Sequence, residues 1–102
     1  MTTSYTVRAL SKLTGKPLKL VEDTWRQARD FIKATEKRGR YDLVLKTCLD
    51  MLGVKASIDR DGSIDMFGVS GSITESTSAM ISVKTEAGQV NLPLILLVFN
   101  KL

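Results

Sequence analysis

Apolar residues recur at helical spacing in the first half of the chain and alternate in the second. Leu18, Val21, Trp25, Ala28 and Ile32 follow three- and four-residue steps, with Phe31 widening the stripe, which predicts a long amphipathic helix. Acids fall early, at Glu22 and Asp23, and bases late, at Lys33, Lys37 and Arg38, as the helix dipole favours. The outer face is partly self-neutralising, because Glu22–Arg26 and Arg26–Asp30 stand four apart and Asp30–Lys33 three apart. A second stripe, Tyr41, Val44, Leu45, Cys48, Met51 and Leu52, predicts another helix between Gly39 and Gly53, reached through the basic loop Lys37-Arg38-Gly39-Arg40. So short a connection makes the two helices antiparallel neighbours, meeting through Trp25, Phe31, Val44 and Cys48. Ahead of them, Thr6 to Leu13 predicts a shorter helix with Ser4 or Thr6 as cap and Val7, Leu10 and Leu13 on one side. Gly15 stops it, and Pro17 suits the opening turn of the next.

After Gly53 the period becomes two. Val54, Ala56 and Ile58, then Ile64 and Met66, alternate with polar residues on either side of Asp61-Gly62 and predict a hairpin. A three-residue loop, Arg60-Asp61-Gly62, pairs Ile58 with Ile64 and Ala56 with Met66; a two-residue loop would put the apolar sets on opposite faces. Gly68 to Ser78 is rich in Ser, Thr and Gly and reads as a weak or edge strand followed by an exposed loop. Ile81 and Val83, a two-residue turn at Ala87-Gly88, and Val90, Leu92 and Leu94 predict a second hairpin. The final run, Leu92-Pro93-Leu94-Ile95-Leu96-Leu97-Val98-Phe99, is apolar on both faces of a strand. Two long helices cover one face of a sheet, so the other face of this strand is expected to meet a second copy or another protein. The fold class is α+β: a short helix and an antiparallel helix pair packed on an antiparallel sheet of four or five strands. Residues 1–102 form one domain, with a helical half 1–53 and a β half 54–102.

Charge sharpens the division into halves. Residues 1–52 hold 11 of the 15 Lys and Arg and 6 of the 11 acids, a balance of +5, which leaves −1 for residues 53–102. The basic helical half is compatible with an acidic partner or nucleic acid. With a single Cys, no intramolecular disulfide can form, and a reducing compartment is expected. The opening residues lack a basic leader before an apolar run, and Leu92–Phe99 is too short to cross a bilayer, so a cytoplasmic location without membrane association is expected.

Chemistry is constrained by the lack of His, which excludes Ser-His-Asp and Cys-His mechanisms and an ordinary zinc site. Ser57 to Gly68 resembles a calcium loop around Asp61-Gly62, but Ser57 and Gly68 stand where the first and the bidentate ligands belong, so a hairpin turn accounts better for it. Asp59, Asp61 and Asp65 face no second carboxylate cluster, Cys48 lies on an apolar helical stripe, and Trp25 is a core residue by position. No enzyme activity, cofactor, metal or small-molecule substrate is therefore expected. A helix-turn-helix reading rests on Ser11 four before Gly15, Val21 six after it, and Lys16, Lys19, Arg26 and Arg29 as phosphate contacts. Against it stand Thr24 at an apolar position, a long second helix, and the acids Glu22, Asp23 and Asp30.

The residues Leu13-Thr14-Gly15-Lys16, Val21-Glu22, Trp25, Ala28, Tyr41, Val44 and Met51-Leu52-Gly53 resemble a helical module of small tailed-bacteriophage proteins. The resemblance covers the first half and implies a small accessory or virion-associated protein, with no catalytic residue carried over. The expected function is protein binding or assembly through Leu92, Leu94, Ile95, Leu96, Leu97, Val98 and Phe99. DNA binding through the basic helical half and inhibition of a host enzyme are the alternatives.

Overall fold

In a computed structural model, residues 5–35, 40–55, 63–66 and 68–99 are described, apart from the side chains of Met66 and Phe99. The predicted hairpin at Asp61-Gly62 and its register, the calcium-like segment, the Ser4 cap and the Gly39 helix stop lie outside these residues. Three helices, α1 (Tyr5–Thr14), α2 (Leu18–Thr35) and α3 (Tyr41–Met51), precede an antiparallel sheet of β1 (Ser63–Met66), β2 (Val69–Ser76), β3 (Met80–Thr85) and β4 (Gly88–Pro93), in sheet order β1-β2-β3-β4. A 3₁₀ helix, Leu94–Phe99, follows. The architecture is α+β, with helices packed on the sheet.

On α2, Val21, Thr24, Trp25, Ala28 and Ile32 are buried. Leu18 and Phe31, expected in that stripe, are 40% and 58% exposed. Each residue of a helix advances by about 100°, so Phe31 stands at the margin of the stripe, where α3 leaves it uncovered. Trp25 is in the core, its ring stacked on Tyr41 at 6.4 Å between centroids. Cys48 is fully buried on α3, as are Leu45 and Leu49. Leu43 and Asp42 are buried too, while Met51, expected in the stripe, is 52% exposed, so the buried face of α3 is broader at its start than the one read from sequence and stops short of Met51. Its end is closed as expected at Gly53, whose φ is +76°: Gly53 N–H donates to the Asp50 carbonyl and Val54 N–H to the Leu49 carbonyl. That is a Schellman closure, and it turns Val54 onto the core rather than into a strand.

Two features of the sheet depart from the sequence reading. β2 is an interior strand, paired with β1 and β3. Its small residues serve close approach: a Cβ on Gly71 would collide with the Lys84 carbonyl of β3. The second hairpin turns at Glu86-Ala87, and Thr85 pairs with Gly88. Compared with a turn at Ala87-Gly88, every β3–β4 pair slips by two residues, giving Val83↔Val90 and Ile81↔Leu92. An even slip leaves each side chain on its expected face, which is why the apolar pattern alone could not distinguish the two.

The Leu92–Phe99 run is not a two-sided strand. β4 ends at Pro93, opposite Met80, where β3 itself begins and no ladder partner remains. Leu94 N–H donates to the Ala79 carbonyl at 2.8 Å, and the chain winds inward against α1, α3 and β3. Winding satisfies backbone groups within the segment as they are buried. Leu94, Ile95 and Leu97 are buried in this chain's own core, and Leu96 and Val98 are partly buried against it.

Candidate functional site

The helices and sheet meet at a polar seam that no sequence pattern marked. Ser76, at the end of β2, accepts a 2.7 Å hydrogen bond from Tyr41 N–H at the start of α3. Thr6 is not the cap of α1: its buried hydroxyl donates to the Ser78 carbonyl at 2.9 Å, tying α1 to the β2–β3 connection. Asp42, fully buried, receives both Arg40 Nε at 3.0 Å and an Arg40 terminal nitrogen at 2.8 Å. A fork onto a carboxylate is the geometry in which Arg neutralises a buried acid best. The Tyr41–Ser76 and Thr6–Ser78 bonds join the halves of the molecule, and the Arg40–Asp42 pair lies within the helical half beside them. The usable signal was local only, in that Asp42 is a first-turn acid, suited to the helix N-terminus.

Beside the seam, α2 and α3 leave a groove of about 330 Å³ lined by Phe31, Ile32, Thr35, Arg40, Leu43, Lys46, Thr47 and Asp50. Of its apolar lining, Phe31 is 58% exposed and Leu43 is buried. Lys46 and Asp50 pair across one turn of α3 at 2.9 Å. Leu20, Gln27 and Phe31 share one flank of α2, at positions i, i+7 and i+11, and Leu20 is 46% exposed. An aromatic side chain and an arginine beside an apolar floor are the residue types that anchor protein interfaces.

A second groove, of about 510 Å³, lies at the far end of the sheet, lined by Gly68, Val69, Ser70, Thr85, Glu86, Ala87 and Val90. One sheet face carries Ile64, Val69, Ile73, Ile81, Val83, Val90 and Leu92. That face is covered along much of its length, and Ile64, Ile81 and Val83 are buried. Val90, on edge strand β4 opposite the buried Val83, and Val69, at the start of β2, are only half-buried.

The basic residues of the alternative reading are distributed along α2 and its entry turn. Lys19 and Arg26 are exposed, and Lys16 and Arg29 are half-buried. Arg26 lies 3.9 Å from Asp23, and Arg29 lies 3.7 Å from Asp30 with its Nε shielded from solvent and not hydrogen-bonded. The turn is well organised: Gly15 has φ +71°, Gly15 N–H donates to the Ser11 carbonyl, and the Ser11 hydroxyl donates to the Lys16 carbonyl at 2.7 Å. Thr24 does occupy a buried position, its hydroxyl donating to the Leu20 carbonyl at 2.7 Å. A threonine bonded in this way serves where an apolar residue was expected.

Among residues with candidate chemistry, Cys48 has its thiol pushed up to about 11 by burial, so the reactive thiolate is disfavoured. Asp65 is exposed on β1 and accepts a hydrogen bond from Ser70 at 2.9 Å. Among the described residues, no three His, Cys, Asp or Glu side chains gather as metal ligands, and no helix is long and apolar enough to cross a membrane. No protein-family model, curated protein or solved structure matches the chain.

Proposed function

We propose that the protein is a non-enzymatic protein-binding or assembly subunit that binds through the α2–α3 groove. The observation that carries this reading is Phe31, 58% exposed in the lining of that groove. A large aromatic side chain held in water on a rigid helix is favourable chiefly when a partner removes it from water. The helical half carries the positive charge, so the partner surface is acidic around an apolar knob or pocket. The phage resemblance of residues 13–53 supports an accessory or virion-associated role, and inhibition of a host enzyme is one form the same binding can take.

A photo-crosslinking phenylalanine analogue at position 31 of the full chain, produced in cells, tests the reading. A discrete protein adduct is expected at position 31 and not at exposed Lys55. Equal crosslinking at both positions, or none, overturns it.

The Gly15 turn favours a second reading, DNA binding, since α1 ends at Thr14, three residues turn, and α2 begins at Leu18. Lys16, Lys19, Arg26 and Arg29 would then contact phosphate. Here affinity for duplex DNA falls steeply with salt, and charge reversal at Arg26 and Arg29 flattens the slope by about one unit for each contact removed. An absence of duplex binding at low salt ends this second reading.

A further inference from the structure

We infer that the outer face of α1, with the turn that follows it, binds single-stranded nucleic acid. The site is centred on Arg8 and Lys12, which the duplex reading does not use, and it is independent of the α2–α3 groove.

The cations of this region are free. From Tyr5 to Val21 the chain holds Arg8, Lys12, Lys16 and Lys19 and no acid. Among the described residues none of these four stands in an ion pair, whereas Arg26, Arg29, Arg40 and Lys46 each lie against an aspartate. At about 100° per residue, Tyr5, Arg8 and Lys12 fall within an arc of about 60°, opposite Thr6, Val7 and Leu10. The latter three are buried, while Arg8 and Lys12 are exposed and Tyr5 is 64% exposed. Beyond α1, the Ser11 hydroxyl bonded to the Lys16 carbonyl at 2.7 Å holds the turn that carries Lys16 and leads into Lys19.

Unpaired cations one helical turn apart, on a helix without acids, suit a run of phosphates. Tyr5 selects the form of the strand. Single-strand binders combine a basic track with an aromatic ring on which a base stacks, and in a duplex that base is already stacked and paired. A duplex laid along α2 instead would meet Asp23 and Asp30, whose side chains are 46% and 67% exposed. A bilayer is a poorer occupant, since the apolar side of α1, Val7 and Leu10, is held in this chain's own core.

Fluorescence anisotropy of the purified full chain with labelled oligo(dT) of about 12 nucleotides tests the inference. Binding is expected at low salt, and its logarithm should fall against log salt with a slope near −3, about 0.7 for each of four phosphate contacts. R8E/K12E should weaken binding more than about tenfold and halve the slope; R26E/R29E, which changes the net charge equally, should weaken it less than about threefold. Y5A should weaken binding about fivefold or more at an unchanged slope, and Y5F should bind as the wild type does, because the ring and not the hydroxyl stacks. The near-ultraviolet signal of Trp25 verifies that each variant folds. No binding at low salt, equal losses from the two double variants, or wild-type affinity in Y5A overturns the inference. Tighter binding to a duplex of the same length, or to phosphatidylserine vesicles, overturns it as well. A position-31 crosslink to another protein stands or falls apart from all of these results.

Discussion

Two sets of large apolar side chains end in opposite places. Leu94, Ile95 and Leu97 come from the most hydrophobic stretch of the chain and are buried within it, while Leu20 and Phe31 come from an amphipathic helix and stand 46% and 58% exposed. Density of apolar residues therefore did not mark which of them stay exposed. A consecutive run can be wound into a 3₁₀ helix, which turns its side chains to several sides, and here α1, α3 and β3 surround it. A flank of a helix has one direction, and it is buried only if a neighbouring element lies there.

The contrast predicts a graded set of stability changes. Truncation at Leu97 or Leu94 to Ala removes buried methyl groups from a closed site and costs about 3–4 kcal/mol, read from the urea midpoint; a cost under about 1 kcal/mol would show the run to be loosely held. Arg40→Ala leaves Asp42 buried without its fork and costs about 3 kcal/mol, the low end for a broken buried pair because Arg40 is 30% exposed. The same variant should loosen the seam first, seen as faster amide exchange at Tyr41 and in β2 than in α2.

Interior burial is also legible in pH. The Cys48 thiol titrates near 11 in the folded chain against an ordinary 9.0. The folded state thus holds the proton more tightly, so this contribution is fully present below pH 9 and is lost as pH rises through 11, on the order of 2 kcal/mol. Cys48→Ala should remove that part of the alkaline slope, measured by urea unfolding at pH 8 and 10.5. Ser76→Ala deletes the hydroxyl that caps α3 from β2 and costs about 1 kcal/mol. At the bottom of the scale, Leu20→Ala and Phe31→Ala change monomer stability by no more than about 0.5 kcal/mol, since little packing is lost and Ala favours the helix. A larger loss at Phe31 would mean that it belongs to the core after all, and would erase the contrast between the two sets.

Periodicity was enough for the helices, because a repeat of three and four places a stripe on a face whatever it packs against. Gly15 and Gly53 were readable for the same local reason, both holding positive φ at helix ends. The face of each residue in the second hairpin was likewise readable, and the register was not, since a slip of two residues conserves the alternation. The seam was hidden because Tyr41 and Ser76 stand 35 positions apart and Thr6 and Ser78 72 apart, and hydroxyl groups carry no pattern that announces a distant partner.

The sequence by itself determined the class of fold, the order of helices before strands, the burial of Trp25 and Cys48, and the concentration of positive charge in the helical half. These follow from local periodicity, composition and turn chemistry. Only the tertiary structure decided that Leu94, Ile95 and Leu97 close this chain's own core, that β2 is interior, and that Phe31 stays exposed. Whether an apolar side chain is buried depends on what lies opposite it, and that is a property of the assembled elements rather than of the segment that carries it.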